Sequence, residues 1–539
     1  MSAVAHDIES SAAAAAGMAN QRAHEINNLI RTKEHFACGR VWLRMRMARS
    51  VGPLAVIAVI CLLAGFASAT DAVPRITRLD GSTITGQQVD ATVRPLLEAA
   101  HVTGAGIAIF QDRRIAYLKA YGLRDTEKQL PLTPDSVMTS ASLSKAAFAT
   151  VVMRLVQQRR LDLDKPVYQY LPKPLPEYPR YADLNGDERY RKITLRMLLS
   201  HTSGFPNWRA FEDDHKLKIH FEPGSRYAYS GEGIDLAQFV VETVTHEPLT
   251  TLMVRELFVP LGMTRTSMVW EPRFESDFAN GYDEYGRSLG PEKRTHPDAA
   301  GSMQTTLRDY ATFLSAVMSG KVLEAKTTAE MLRSQVAIHS AHQFPSLDAT
   351  TSAANDGIHL GYGLGWGVYA SPYGRAFFKE GHDEGWRHVA LCFDEKGTGI
   401  LILTNSSNGE GIFKPVLDAL LGPTHFPFEW ELYTPYTELP PLPKLKQHTR
   451  VTLTAEQLKR FVGRYGLSPQ VVLTVTAGDG RLFIQENDEP KQEYLAQSEH
   501  DFYSTASSDE VTFSPADGST AQVMILHLGD KDVPLKRLP

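Results

Sequence analysis

From Ile76 onward the apolar residues of this chain fall into regular patterns, whereas residues 1–43 show none. Residues 104–110 and 115–121 are apolar, β-prone runs separated by Gln111-Asp-Arg-Arg114, which predicts a hairpin. Residues 142–158 place Ala146, Ala147, Ala149, Val151, Val152, Leu155 and Val156 around most of a helical surface, which predicts a buried helix. Further helices are predicted over 234–245 and 306–318, the latter ending before Gly320. The runs 362–369, 375–379, 387–393 and 399–404 read as consecutive antiparallel strands, and 412–421 as a closing helix. Strands at both ends of this stretch, with helices between, predict an α/β domain over 76–430 whose antiparallel sheet is flanked by helices. Pro435, Pro440, Pro441 and Pro443 mark 431–452 as a linker. Beyond it, Val471-Val-Leu-Thr-Val-Thr476, the turn Gly478-Asp-Gly480, Arg481-Leu-Phe-Ile484 and Val511-Thr-Phe513 predict a small all-β domain over 453–539.

The N-terminal stretch changes this picture. Arg44, Arg46 and Arg49 precede the apolar run 54–67, which ends in Ala67-Ser-Ala69. A basic segment, a short apolar segment and a small-x-small site predict an N-terminal extension and secretory signal peptide over 1–69. The run falls short of the roughly 20 apolar residues a membrane span requires, and an uncleaved anchor is the alternative. A periplasmic or secreted protein is therefore expected, with membrane contact only through such an anchor. Cleavage after Ala69 would remove seven basic and four acidic residues and take the net charge from −6 to −9. It would also remove Cys38 and Cys61 and leave Cys392 alone, so neither an intrachain disulfide nor a cysteine metal site is expected. With 43% hydrophobic and 22% charged residues the composition is that of an ordinary globular chain. The negative charge, with no basic cluster interleaved with aromatics, argues against nucleic-acid binding.

Chemistry enters at Ser142-Leu-Ser-Lys145. Positions i and i+3 are neighbours on a helix, so this hydroxyl and amine can meet. A serine needs an adjacent base to become a nucleophile, and a lysine serves only where burial or a nearby positive charge lowers its pKa. The motif stands in an ordered series: Ile193-Thr-Leu-Arg-Met-Leu-Leu-Ser-His-Thr-Ser-Gly-Phe-Pro206, Pro223-Gly-Ser-Arg-Tyr-Ala-Tyr-Ser-Gly231, Pro260-Leu-Gly-Met-Thr264 and Ala300-Gly-Ser-Met-Gln-Thr-Thr306. Gly361-Tyr-Gly-Leu-Gly-Trp-Gly367, Gly381-His-Asp-Glu-Gly-Trp386 and Thr404-Asn-Ser406 complete it. The series resembles the class C β-lactamase-like serine hydrolase family, with its penicillin-binding-protein, DD-peptidase, D-aminopeptidase and esterase members, over about residues 80–425.

The resemblance implies a β-lactamase/transpeptidase-like fold and an acyl-enzyme mechanism. It assigns Ser142 as nucleophile and oxyanion donor through its backbone N–H, with Lys145 as base. Tyr229 of Tyr229-Ser-Gly231 would relay protons. Gly231 departs from the asparagine that the family carries there to bind the substrate amide. His382 is taken as the third motif's first residue, with Gly385 as a displaced oxyanion donor and Trp386 as a pocket wall; Trp208 is a second wall candidate. Glu384 stands where that alignment expects glycine, and with Asp383 its charge disfavours carboxylate-bearing substrates. His201 and Ser203 are read as structural. Asp183-Leu-Asn-Gly-Asp187 lacks the downstream glycine and glutamate of a calcium loop, so no metal is expected, and no cofactor is implied. The functional expectation is an exported serine hydrolase acting on small ester, amide or D-amino-acid peptide substrates. β-Lactamase or DD-peptidase activity is the alternative within enzymes, and a non-catalytic cell-wall or ligand-binding protein the alternative outside them.

Overall fold

A computed structural model of the chain describes residues 75–439, 448–468, 471–487, 491–504, 509–514, 518–528 and 531–539. The N-terminal extension and signal peptide expected over 1–69, with Cys38 and Cys61, and the linker prolines Pro440, Pro441 and Pro443 lie outside the described residues.

One nine-stranded antiparallel sheet organises the first part of the chain. In chain order its strands are β1 (Gly104–Gln111), β2 (Arg114–Asp125), β3 (Leu130–Pro131), β4 (Val336–Ala337), β5 (Gly361–Tyr362), β6 (Gly367–Ser371), β7 (Gly374–Asp383), β8 (Trp386–Phe393) and β9 (Thr398–Thr404). They lie in the order β4-β5-β6-β7-β8-β9-β1-β2-β3, so the two ends of the domain meet at the β9–β1 pair, Ile402 opposite Ile107. Helices cover both faces. Ile107, Ile109, Ile400 and Ile402 pack with Val89, Val93 and Leu97 of α1 (Gly86–Ala99) and with Phe413, Val416, Leu417 and Leu420 of α5 (Phe413–Leu420). Ala108, Phe110, Leu401 and Leu403 face the other way, toward α2 (Leu143–Gln157), α3 (Gly231–Thr245) and α4 (Leu307–Met318). Alternate residues thus enter different cores, which is why the central strands are continuously apolar.

The predicted hairpin and helices are present, with informative differences. Asp112 and Arg113 both adopt left-handed backbone, as a two-residue hairpin turn requires. Helix α3 begins three residues earlier than its apolar pattern, because Ser230 caps it by accepting the Gly233 N–H at 2.9 Å. Gly231 and Gly233 contribute nothing to an apolar periodicity. The run 362–369, expected as one strand, is instead the tight hairpin β5–β6, with Gly361 opposite Val368. Its turn pivots on Gly365, whose φ of +82° favours glycine and whose Cα lies against Ala149 of α2.

The C-terminal part forms more than the expected set of short strands. Eight strands from Gly463–Ser468 to Lys531–Arg537 close into a barrel around Tyr465, Leu482, Phe502, Phe513 and Met524. Closure leaves no unpaired sheet edge, a property that no local sequence pattern encodes.

Gly365→Ala is expected to lower the urea midpoint of the hydrolase part by an amount equivalent to about 1–3 kcal/mol, since a Cβ there is both strained and in collision with the Ala149 methyl. Gly357→Ala, where an added Cβ meets nothing within 4 Å, should leave the midpoint unchanged.

Candidate active site

The site is assembled from three element ends: the start of α2, the start of α3 and the end of β7. At the first, Ala141 takes a left-handed φ of +46°, an uncommon conformation for a residue with a Cβ. The turn is held by Ser144, whose hydroxyl donates to Ala141 O at 2.6 Å and accepts the Met303 N–H at 3.1 Å. Of residues 141–150 only Ser142 is not buried. Its hydroxyl makes no capping bond, and its N–H lies where a helix start has no intrahelical acceptor. One turn on, Lys145 Nζ stands 3.0 Å from Ser142 Oγ and donates to Ala300 O at 2.6 Å.

The second end delivers Tyr229, just before α3. Its phenol accepts from Lys379 Nζ at 3.1 Å, and the nearby Ser142 hydroxyl acts to lower its pKa against the larger upward push of burial. The ammonium groups of Lys145 and Lys379 each lie 5.0 Å from the Tyr229 ring centroid. Under the same ring lies His201, 4.4 Å between centroids, with Nδ1 accepting the Ser230 N–H at 3.2 Å. Ser203 is buried and accepts the Phe205 N–H, remote from either lysine's hydrogen bonds.

The electrostatics follow from burial and from the paired lysines. Lys145 is 1% exposed, and burial, then the positive charge of Lys379, pull its pKa down to about 7. Asp298, Glu380 and Asp235 oppose that shift. Lys379 is fully buried and pairs with the Glu380 carboxylate beside it. Burial, then Glu380, push the Tyr229 phenol well above its ordinary value, so it keeps its proton. Burial, then both lysines, hold His201 well below the usual histidine range, so it is neutral. Together these give a base adjacent to a hydroxyl, and a protonated phenol beside both. That set can remove a proton from Ser142 and return one to a leaving group.

Ser142, Lys145 and Tyr229 therefore converge; the residues taken for the third motif do not. His382 is one residue out of phase with Lys379 and Gly381 on β7, its side chain half-exposed and bonded to Glu410 at 2.6 Å. The Gly385 N–H is already donated to Ser407 Oγ at 2.9 Å, so it is not an oxyanion donor. Trp386 is buried in the core and packs on Gly281. Glu384 belongs to the turn between β7 and β8. The site instead contains Lys379-Glu380-Gly381, which has the Lys-x-Gly spelling of the third motif three residues upstream. Its signal was partial: Lys379 follows Ala376-Phe-Phe378 on a strand, where an unpaired ammonium would be prohibitive if buried, but Glu380 beside it gives it an obvious partner. Gly381 packs on the turn that carries Ser142, since a Cβ there would meet Ser140 O at 2.8 Å.

Gly231 is at the site, as expected, but its neighbour is the Trp208 indole, whose centroid lies 5.9 Å from Lys145 Nζ. Glu232 is occupied by Arg209 in a two-pronged ion pair at 2.7 and 2.8 Å, so it does not replace the missing asparagine. Asp183 accepts the Leu217 N–H, and Asp187 pairs with Arg189.

Comparison with known proteins identifies the family and the fold. Residues 89–422 match the family model described as Beta-lactamase, and residues 447–536 match a domain of unknown function, DUF3471. Protein flp of Staphylococcus aureus (strain MRSA252) is 27% identical over 241 residues, which is 41% of this chain and 47% of that protein. The chain thus spans about half the length of that curated relative. Penicillin-binding protein 4* of Bacillus subtilis (strain 168) is 23% identical over 445 residues, 78% of this chain and 91% of that one. The octameric penicillin-binding protein homologue from Pyrococcus abyssi shares the fold, with a TM-score of 0.50 and 19% identity over 84% of this chain and 99% of its own. With more than half of its residues matched, and with this sheet and these helices, the chain belongs to the Beta-lactamase family and has the β-lactamase/transpeptidase-like fold.

Proposed function

We propose that the chain is an exported serine hydrolase that works through an acyl-enzyme at Ser142 on ester or D-amino-acid amide and peptide substrates. One observation carries the reading: the buried Lys145 amine stands 3.0 Å from the hydroxyl of Ser142, the residue of its turn that is not buried, and burial pulls the lysine's pKa down to about 7. At neutral pH about half of such lysines are in the base form, against a tiny fraction for an ordinary lysine near 10.4. Lys145 takes the Ser142 proton as Oγ bonds to the substrate carbonyl carbon. The Ser142 N–H, at a helix start, is aimed to stabilise the oxyanion. As the intermediate collapses, the leaving group departs with the proton of the Tyr229 phenol, which Lys145 replaces. Water then attacks the acyl-enzyme, gives up a proton to the same base, and the acid product leaves as Ser142 regains its hydrogen. Carboxylate-bearing β-lactams are disfavoured, because the charge of Lys379 is already matched by buried Glu380. The leader-like segment over 44–69 supports export.

An active-site fluorophosphonate probe should label the wild-type chain and not Ser142→Ala, and p-nitrophenyl ester hydrolysis by that variant should fall about ten-thousandfold or more. A folded wild-type protein that resists the probe would mean a non-catalytic binding protein on this fold. The pH dependence gives a second outcome. The base is lost as Lys145 gains its proton, so kcat/KM should decline below about pH 7. The charge of Lys379 depresses the Lys145 pKa, so Lys379→Met should move that acid limb upward by about one pH unit.

A further inference from the structure

Gly231 has no backbone reason to be glycine. It sits in the first turn of α3 with ordinary helical backbone, and no positive φ is involved. What glycine provides is room: a Cβ at 231 would stand 2.6 Å from Cζ2 and Cζ3 of Trp208, far inside contact distance. The indole therefore occupies the space into which a side chain at 231 would project.

The indole is also mounted from both sides. Asn207 O accepts the N–H groups of Gly231 and Glu232 at 3.0 Å each, and Asn207 Oδ1 accepts the Gly231 N–H at 3.1 Å. On the other flank the Arg209 N–H donates to Glu232 Oε1 at 3.1 Å, and its guanidinium grips the same buried carboxylate. The residues before and after Trp208 are thus tied to the first turn of α3, and the half-buried ring between them faces Lys145. Phe211, exposed at the end of the same short turn Arg209–Phe211, adds a second large apolar side chain to this segment.

We propose that Trp208 is the acyl-side wall of the Ser142 cleft, and that it selects esters of apolar acyl groups over substrates whose acyl part carries an amide. The inference rests on the serine-hydrolase reading and narrows its substrate class. An indole face offers apolar area to an alkyl or aryl acyl group but no carbonyl to accept from an amide N–H. An amide brought there loses its water without a replacement partner.

The test compares wild type, Trp208→Ala, Trp208→Phe and Gly231→Ala on p-nitrophenyl acetate, butyrate and hexanoate and on the p-nitrophenyl ester of N-acetyl-D-alanine, with fluorophosphonate labelling and a thermal melt for each. Wild type should prefer hexanoate to acetate and turn over the acetamido ester poorly. Trp208→Ala should reduce the hexanoate-to-acetate ratio of kcat/KM about tenfold, and Trp208→Phe should largely retain it. Gly231→Ala should reproduce the Trp208→Ala profile with the tryptophan still present, because its methyl displaces the ring; this outcome stands even if Trp208→Ala fails to fold. Labelled, folded variants with an unchanged chain-length profile, or a wild type that favours the acetamido ester over hexanoate, would overturn this inference and leave the hydrolase reading intact. Absence of labelling in the folded wild type would overturn both.

Discussion

A lysine amine stripped of water is the constraint around which the rest of this structure is arranged. Burying Lys145 at 1% exposure penalises its charge, and the protein offsets that only in part, with one carbonyl, one hydroxyl and carboxylates held at a distance. A second buried lysine stands across the Tyr229 ring, where its charge acts against protonation of the first. That arrangement is tolerable because Glu380 neutralises Lys379 locally while leaving Lys145 without an ion-pair partner. The asymmetry between the two lysines, one paired and one not, distinguishes base from fixed charge.

The double burial of the sheet makes this possible. Lys379 can be placed to within hydrogen-bonding distance of Tyr229 because β7 is an interior strand, paired with β8 from Ala376 to Asp383 and with β6 from Gly374 to Phe378, the residue just before the lysine. Its apolar neighbours Phe377 and Phe378 are locked into opposite cores. The serine turn is held by Ser144 and Met303, the tyrosine by His201 below it and by the cap of α3 behind it. Each group of the proposed mechanism therefore rides on an element end whose position is fixed by hydrogen bonds outside the proposed reaction.

Much of this was legible in the sequence where a pattern is local. The Ser142-Leu-Ser-Lys145 spacing, the hairpin at 104–121, and the helices starting near Ser142 and Thr306 all depend on residues a few positions apart. What escaped depends on three-dimensional neighbours. His382 looks like a site histidine beside a glycine, yet strand alternation and Glu410 turn it away, whereas Lys379 looks like a misplaced charge until Tyr229 and Glu380 come into view. Gly231 read as a lost amide, but no local pattern shows that Trp208, some twenty residues earlier, needs the space. Barrel closure in the C-terminal part likewise rests on pairing between the first strand, Gly463–Ser468, and the last, Lys531–Arg537.

The central claim is the unprotonated amine, and lysine side-chain NMR of protein carrying 13C at the lysine Cε measures it directly. One lysine signal should titrate near pH 7, far below the roughly 10.4 of a lysine in a model peptide, and vanish in Lys145→Arg. If the Lys145 signal titrates with the others, the amine is charged at working pH and the account of this site is wrong.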